Sequence, residues 1–462
     1  MSLNSLFSPK SIAVIGASAT KGKLGYVLTE MIIEFGYPGE LYLVNPRSEK
    51  IFGLDPYPSV GDIMAKIDLA IALVPAKFIP AVAHDCGEAG VKALVVISSG
   101  FKEIGKEGER LQEELKEIAG HFGMRIMGPN CEGFVNCHIN LFATAFRTMF
   151  KDNTGPGPVS IISQSGCVTG IAYKRIQERG IGISIAASVG NEVDLKAIDY
   201  FKYLAEEPNT KVIASFLEGI REGSRFKEEM GRITRAKPVV ILKVGRSEAS
   251  KEAAISHTGS MVGKDEIISA VFKQCGIVRA DTVDELIDIS LAFASQPVLG
   301  GKGIGIITTG GGLGVHAADI CARSGFSVPR ISQKAETVIN GLIGSYGSLK
   351  NPIDLGTGFT ARNTAEVTEI IAAEPEISGI MFILTAFPKV EIAEYLLAVK
   401  KKLDKPLFLV STAERASGEV YDYFIEHGFP VYSTPSGVTN ALRGMREYSR
   451  FLGVFNDEEK EL

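Results

Sequence analysis

The sequence has few of the residues that build metal centres or disulfide frameworks. It contains six histidines and six cysteines in 462 residues, with no CxxC pair and no His/Cys cluster at zinc-ligand spacing. Zinc and redox motifs need such clusters. The pattern therefore argues against a metal enzyme and predicts reduced thiols, as is usual in the cytoplasm.

Charge and hydropathy argue against two further kinds of partner. The formal net charge is −5 and both signs are well mixed, so the chain offers nucleic acid no basic field. No apolar run reaches the ~18 residues of a membrane span, and the N-terminus has no signal-peptide pattern. We expect a soluble cytoplasmic protein that binds neither nucleic acid nor membrane.

Glycine, in contrast, is abundant. The 50 glycines recur singly after apolar runs, as tight turns between buried strands and helices require. Buried strands that alternate with amphipathic helices are typical of doubly wound parallel sheets, which bind ligands at the carboxyl ends of the strands. The sequence thus predicts an α/β protein of three units, with a polar Gly/Pro linker over 151–158 after the first.

The predicted strand ends of the first unit are small, polar or turn-forming and outline a nucleotide-sized crevice. The turn over 16–22 departs from GxGxxG, and Asn45 stands where ribose recognition by NAD wants an acidic residue. A nicotinamide-dependent dehydrogenase is therefore disfavoured. A phosphorylated adenine ligand near Lys21, Lys23 or Arg47 fits better, although turns that serve packing alone are the alternative.

Two further glycine turns each join a strand to a helix. Ser163-Gln164-Ser165-Gly166 could present helix N–H groups to an anion, although a plain helix cap explains it nearly as well. The run 308–314, TTGGGLG, is a second candidate anion cradle. Asp354 could orient that cradle or could simply occupy a turn.

His257 and Glu218 form the candidate reactive pair. His257 lies among small and hydroxylated residues over 253–260, a composition typical of an exposed, mobile loop. Glu218 ends an apolar run, a costly place for a carboxylate without a partner. An imidazole held by a carboxylate can attack a phosphoryl centre, and helix starts can stabilise the phosphoryl charge. A phosphohistidine intermediate uses all these parts, whereas a Ser–His–Asp hydrolase leaves both glycine cradles unexplained.

Several motifs carry a resemblance that spans essentially the whole chain. The chain resembles the α subunit of NDP-forming acyl-CoA synthetases, most closely the ADP-forming acetyl-CoA synthetases, and its first two units are similar to succinyl-CoA synthetase α. The matching stretches are VPA (74–76), RIMGPNCEG (125–133), SIISQSG (160–166), FLEG (216–219), SHTGSM (256–261), TTGGGLG (308–314) and NPIDL (351–355).

The resemblance implies three domains and a reversible reaction. These are a Rossmann-like CoA-binding domain over 1–150, a flavodoxin-like domain bearing a phosphohistidine over 151–297, and a second flavodoxin-like domain with a glycine-rich phosphate loop over 298–462. The reaction implied is acyl-CoA, phosphate and ADP giving acid, CoA and ATP through an acyl phosphate. A non-catalytic CoA-binding regulatory module is the alternative.

The resemblance also implies the roles of individual residues. His257 would be phosphorylated and Glu218 would orient it. Arg47 stands where succinyl-type proteins carry a lysine. The phosphate-gripping helix starts would be Ser163, Gln164, Ser165 and Gly166, and Gly310, Gly311 and Gly312. The CoA-binding residues would be Gly16, Ala17, Ser18, Lys21, Arg47, Val74, Pro75, Ser98, Ser99 and Gly100.

No stretch resembles the ATP-grasp module of these enzymes. The resemblance therefore implies a separate β subunit that carries this module, together with most of the site for ADP or ATP and Mg²⁺. An α2β2 heterotetramer is the expected assembly. The chain itself would carry no metal ligands.

Overall fold

The computed structural model describes residues 3–48, 50–150, 155–247, 249–250, 263–343, 347–356, 359–385, 389–411 and 418–456. The chain forms two compact units. The first comprises Met1–Arg175 and Gly182–Arg279, and the second comprises Ile176–Ile181 and Ala280–Leu462. Among the described residues, no helix combines the length and apolar character needed to cross a membrane.

The first unit contains two sheets. Five short, fully parallel strands form the first sheet in the order β2-β1-β3-β4-β5, as in a doubly wound fold. Every residue of β1, β3 and β4 is buried, because helices cover both faces of such a sheet. The strands are β1 Ser11–Ile15, β2 Glu40–Val44, β3 Leu69–Ala72, β4 Ala93–Val96 and β5 Arg125–Met127.

The second sheet has seven strands in the order β12-β11-β10-β8-β9-β6-β7. Strands β8 to β11 pair in parallel, whereas β6 runs antiparallel to both β9 and β7. The start of β6 therefore lies at the edge where β8 and β9 end. The strands are β6 Gly133–Asn136, β7 Leu141–Thr144, β8 Pro156–Ser163, β9 Ile183–Ser188, β10 Val212–Leu217, β11 Val239–Lys243 and β12 Val278–Ala280.

Nine described helices accompany these two sheets, and the end of α6 passes into the second unit. They are α1 Asn4–Phe7, α2 Leu24–Glu34, α3 Ile79–Glu88, α4 Lys106–Phe122, α5 Arg147–Phe150, α6 Gly166–Gln177, α7 Ala197–Glu206, α8 Gly223–Ala236 and α9 Asp265–Cys275.

The second unit contains one parallel sheet of five strands in the order β14-β13-β15-β16-β17. Its strands are β13 Ile304–Thr308, β14 Ile353–Asp354, β15 Gly379–Leu384, β16 Leu407–Ser411 and β17 Val431–Tyr432. Its described helices are α10 Val283–Ser295, α11 Gly311–Arg323, α12 Gln333–Ile343, α13 Ala361–Ala373, α14 Val390–Lys400, α15 Gly418–Glu426 and α16 Pro435–Leu452.

The predicted fold class is confirmed: the chain is α/β with three sheets dominated by parallel strands. The domain limits 1–150, 151–297 and 298–462 stay a prediction. Two strands from the range 1–150, β6 and β7, belong to the second sheet. Alternating strands and helices were readable from the apolar runs, but this long-range pairing was not.

An ion pair joins the two sheets of the first unit. Asp194, in the loop after β9, accepts hydrogen bonds from Arg125 Nε at 2.8 Å and from the Ile126 N–H at 2.9 Å. Both charged side chains are about three-quarters buried. The loop after β9 is thereby fixed to the last strand of the first sheet.

Replacing Asp194 with alanine is expected to destabilise the first unit by about 2 kcal/mol, because hydrogen bonds to charged groups each contribute ~1.5–3 kcal/mol. Calorimetry should show a lower midpoint temperature of thermal unfolding, and the backbone amide hydrogen of Ile126 should exchange faster with solvent. The exposed Asp85 of α3 provides the matched control. Asp85→Ala should stay within ~0.5 kcal/mol of wild type. Equal midpoints for the two variants would contradict the role assigned to this ion pair.

Candidate active site

A cavity of about 620 Å³ lies where the carboxyl-end edges of the two sheets of the first unit meet. The first sheet contributes the residues after β3 and β4, and the second contributes the end of β9 and the loop from β8 into α6. Seven residues predicted for CoA or phosphate binding are thereby brought together. They are Val74, Pro75, Ser98, Ser99, Gln164, Ser165 and Gly166.

The loop between β8 and α6 has a tightly fixed backbone. The Ser163 hydroxyl accepts a hydrogen bond from the Ser165 N–H at 3.0 Å and donates to the Ser165 carbonyl at 2.7 Å. This turn brings the chain directly into α6 at Gly166. The first N–H groups of a helix lack intrahelical partners and carry partial positive charge. The loop therefore directs an anion-attracting helix start into the cavity.

Gln164 joins this loop to Glu218. Its Oε1 accepts hydrogen bonds from the N–H groups of Glu218 at 2.6 Å and Gly219 at 3.0 Å, while its Nε2 donates to the Gly219 carbonyl at 3.0 Å. The buried Lys243 donates to the Glu218 carbonyl at 2.8 Å. Burial, with a smaller effect from Arg279, lowers the pKa of Lys243 to about 8. In this structure the Gln164 amide fixes the backbone at Glu218, a role that the sequence analysis did not anticipate.

Glu132 is a cavity residue that the sequence analysis did not select. It directly precedes β6, whose antiparallel pairing with β9 places Gly133 opposite Ser188. The carboxyl group of Glu132 lies against Gly166. A Cβ built on Gly166 would be 2.0 Å from Glu132 Cδ, so this arrangement requires glycine at position 166. A carboxylate placed directly before a buried strand was the available signal.

The Glu132 carboxyl group is poorly solvated. Its Oε2 is buried and has no hydrogen-bond partner among the described residues. Burial raises the pKa of Glu132 to about 7, because a desolvated carboxyl group favours its neutral form. Near neutral pH, Glu132 can therefore both donate and accept a proton.

The remaining predicted CoA-binding residues lie outside this cavity, around the turn after β1 and nearby loops. The Asn45 Nδ2 donates to the Ala17 carbonyl at 2.7 Å, and the Ser18 hydroxyl accepts from the Thr20 N–H at 3.0 Å. Lys21 and Arg47 are exposed. The residues concerned are Gly16, Ala17, Ser18, Lys21, Arg47 and Gly100.

Glu103 stabilises the loop that contains Gly100. Its Oε1 accepts from the Gly100 N–H at 2.6 Å, and its Oε2 accepts from the Asn191 amide at 2.7 Å. Burial alone would raise the pKa of Glu103, but hydrogen bonds from Phe101, Asn191 and Gly100 outweigh it and lower the pKa. The hydrogen bonds thus favour the ionised form of Glu103, whereas burial favours the neutral form of Glu132.

The second unit repeats the local design of the loop before α6. The Thr308 hydroxyl accepts from the Gly310 N–H at 3.0 Å and donates to the Gly310 carbonyl at 2.9 Å, and α11 begins at Gly311. Asp354 lies against Gly311, with its Oδ2 2.8 Å from a Cβ built there. Its Oδ1 accepts from the Gly356 N–H at 2.9 Å. Asp354 thus both stabilises a turn and approaches the glycine loop that includes Gly312.

His257 lies outside the described residues. A group of potential metal ligands that the sequence analysis did not identify, His84, Asp85 and Glu88, lies on the exposed face of α3. Exposed groups of this kind are common without a metal, and this one is not part of the cavity.

Gly166→Ala is expected to lower the pKa of Glu132 from about 7. The new Cβ displaces the carboxyl group into the open cavity, where water stabilises its charged form. ¹³C NMR of protein labelled at glutamate Cδ measures the titration, and its absence from Glu132→Gln assigns the signal. Gly120→Ala is the control, since a Cβ at Gly120 meets nothing within 4 Å. An unchanged Glu132 titration in Gly166→Ala would show that this contact does not control its burial.

Comparisons with known proteins identify the family of the chain. A family model described as "CoA binding domain" matches residues 10–136, and one described as "Succinyl-CoA ligase like flavodoxin domain" matches residues 156–293. The alpha subunit of ADP-forming acetate–CoA ligase I from Pyrococcus furiosus is 37% identical, and the alignment covers 98% of each chain. An ADP-forming acetate–CoA ligase from Methanocaldococcus jannaschii is 36% identical over 96% of this chain and 62% of its own length.

A solved structure gives the same result for the fold. An acetyl-coenzyme A synthetase from Ca. Korarchaeum cryptofilum, in complex with phosphate and ADP, is 32% identical with a TM-score of 0.89, and the match covers 98% of each chain. The chain belongs to the ADP-forming acetate–CoA ligase family, in which it corresponds to the alpha subunit.

Proposed function

We propose that this chain works as the α subunit of an ADP-forming acyl-CoA synthetase whose phosphoryl group passes through His257. The main support is the cavity, which is lined both by strand ends predicted to bind CoA and by the start of α6. CoA and phosphate would meet there. The thioester end of CoA would enter along Val74, Pro75, Ser98 and Ser99.

The proposed reaction has three steps. Phosphate attacks the thioester carbonyl carbon, which forms an acyl phosphate and releases CoA. His257 then takes the phosphoryl group and releases the acid, and ADP takes it from His257 to give ATP. The start of α6 would stabilise the phosphoryl charge in the first two steps, because its N–H groups are oriented before the reaction begins.

Other residues have supporting roles in this proposal. Glu218 would orient His257, and the Gln164 and Lys243 hydrogen bonds that fix its backbone support this role. Gly16, Ala17, Ser18, Lys21 and Arg47 would hold the phosphates of CoA, and Gly100 would complete the crevice. The first phosphate station would consist of Ser163, Gln164, Ser165 and Gly166, and the second of Gly310, Gly311 and Gly312.

A partner subunit would complete the enzyme. The Pyrococcus furiosus relative is an alpha subunit, whereas the Methanocaldococcus jannaschii relative is longer than this chain. We propose a β subunit with an ATP-grasp domain, assembled as α2β2, that binds the Mg²⁺ and most of the ADP or ATP. The domain limits 1–150, 151–297 and 298–462 and the cytoplasmic location belong to the same proposal.

The test is phosphate transfer to His257 in the chain assembled with its partner subunit. With acetyl-CoA and ³²P-phosphate, the chain should acquire an acid-labile, base-stable label at His257. Since no other group would carry the phosphoryl, His257→Ala should remove the label and lower ATP formation by more than about 10³-fold. His121→Ala, in the last turn of α4, is the control. ATP formation by His257→Ala at the wild-type rate would refute the proposal, and CoA binding without any label would favour a regulatory module.

A further inference from the structure

We propose that Glu132 is the acid–base catalyst of the thioester step, which moves a proton between phosphate and the sulfur of CoA. This inference rests on the proposed function, since it assumes that CoA and phosphate meet in the cavity. The position of Glu132 between the two groups of ligand-binding loops is the geometric basis.

The cavity brings Glu132 together with both groups of residues that the proposed function assigns to the reactants. The strand ends after β3 and β4 line one side, and the start of α6 lines the other, with Glu132 against Gly166. The described lining contains no lysine, arginine or histidine. Among these residues, the carboxyl group is therefore the one best able to exchange protons near neutral pH.

Among the described residues that line the cavity, the titratable groups other than Glu132 are two thiols. Cys131, its chain neighbour, donates its S–H to the Val96 carbonyl at 3.3 Å, and burial raises its pKa to about 12. Cys167 of α6 is exposed and lines the same cavity. A thiol carries no positive charge that could stabilise the Glu132 carboxylate. The pKa of Glu132 is therefore set by burial.

The second unit provides an internal comparison. There Asp354 lies against Gly311 as Glu132 lies against Gly166, but Asp354 accepts a hydrogen bond from the Gly356 N–H. The carboxylate beside the glycine loop of the second unit is thus satisfied by the backbone. Glu132 Oε2 has no such bond within the described residues. A buried carboxyl oxygen without a hydrogen bond is costly to keep, which favours a functional reason for its position.

The chemistry balances without a further reactant. Hydrogenphosphate attacks the thioester carbonyl carbon, so that a carbon–oxygen bond forms and the carbon–sulfur bond breaks. The departing sulfur takes the proton of neutral Glu132, and the Glu132 carboxylate takes the proton of the phosphate group. The products are the acyl phosphate dianion and CoA with its thiol, and Glu132 ends neutral. A thiol pKa of ~8.5 lies above that of Glu132, so the transfer to sulfur is favourable.

The pH dependence follows from the raised pKa. Glu132 loses its proton as the pH rises through about 7, so the phosphate-dependent release of CoA from acetyl-CoA should decline above that pH. Glu132→Gln removes the titrating carboxyl group, so the decline in CoA release above pH 7 should disappear. Glu132→Asp keeps a titratable carboxyl group, so its rate of CoA release should still decline as the pH rises.

The experiment compares wild type, Glu132→Gln, Glu132→Asp and the exposed-surface control Glu113→Gln, each assembled with the partner subunit. Two reactions are measured: phosphate-dependent CoA release from acetyl-CoA, and labelling of His257 from γ-³²P-ATP. We expect Glu132→Gln to slow CoA release by about 10²-fold, while its labelling from ATP stays within about twofold of wild type. Labelling needs no proton transfer to sulfur, so it separates a catalytic defect from a folding defect.

The outcomes are distinct. CoA release by Glu132→Gln at the wild-type rate, with its decline above pH 7 intact, would overturn the inference and leave the proposed function standing. Absence of both reactions in wild type would overturn the proposed function and this inference with it. If Glu132→Gln loses both reactions, the Glu132→Asp variant decides the question. Restored CoA release whose rate declines at high pH supports the inference, and CoA release whose rate does not decline at high pH overturns it.

Discussion

The described site depends on one constraint: a half-buried carboxyl group, one of whose oxygens is shielded from water, lies against the first residue of a helix. Glu132 can occupy this position because residue 166 is glycine and any Cβ there would collide with it. Burial makes the neutral form of the carboxyl group accessible near neutral pH. The same arrangement leaves the start of α6 facing a cavity that the strand ends of the first sheet also reach. An anion and a thioester could thus share this space without a nearby cationic side chain in the described lining.

Two hydrogen-bonded connections hold the edges of the cavity in place. The Gln164 amide ties the loop before α6 to the backbone at Glu218, and Lys243 fixes the Glu218 carbonyl from the neighbouring strand. Asp194 fixes the loop after β9 to β5 of the first sheet. Such pre-ordered polar groups stabilise developing charge without reorganising during the reaction. The reuse of the same strand-turn-helix design at Thr308–Gly311 shows that it suits glycine-rich helix starts in both units.

The fold was largely predictable from the sequence because parallel strands and their turns are local features. Apolar runs followed by glycine placed the strands, and the resemblance in motifs such as RIMGPNCEG and SIISQSG identified the family that the comparisons then showed. The side-chain contacts of the site were harder to predict from the sequence. The phosphate role of Gln164 stays a prediction, and the hydrogen bond of its amide to the Glu218 backbone was missed because the two residues are 54 positions apart. Glu132 was missed because its place depends on the antiparallel pairing of β6 with β9, which no local pattern reveals. The pairing of His257 with Glu218 stays a prediction.

The most direct measurement is a structure of the assembled enzyme with CoA and phosphate bound. We expect phosphate at the start of α6 and the CoA sulfur within hydrogen-bond reach of the Glu132 carboxyl group, directly or through one water. A second cavity, of about 640 Å³, lies at the opposite, amino-end edge of the first sheet and is lined by Lys10, Tyr37 and Asp68. An ordered CoA sulfur there, or anywhere else remote from Glu132 and Gly166, would contradict the account.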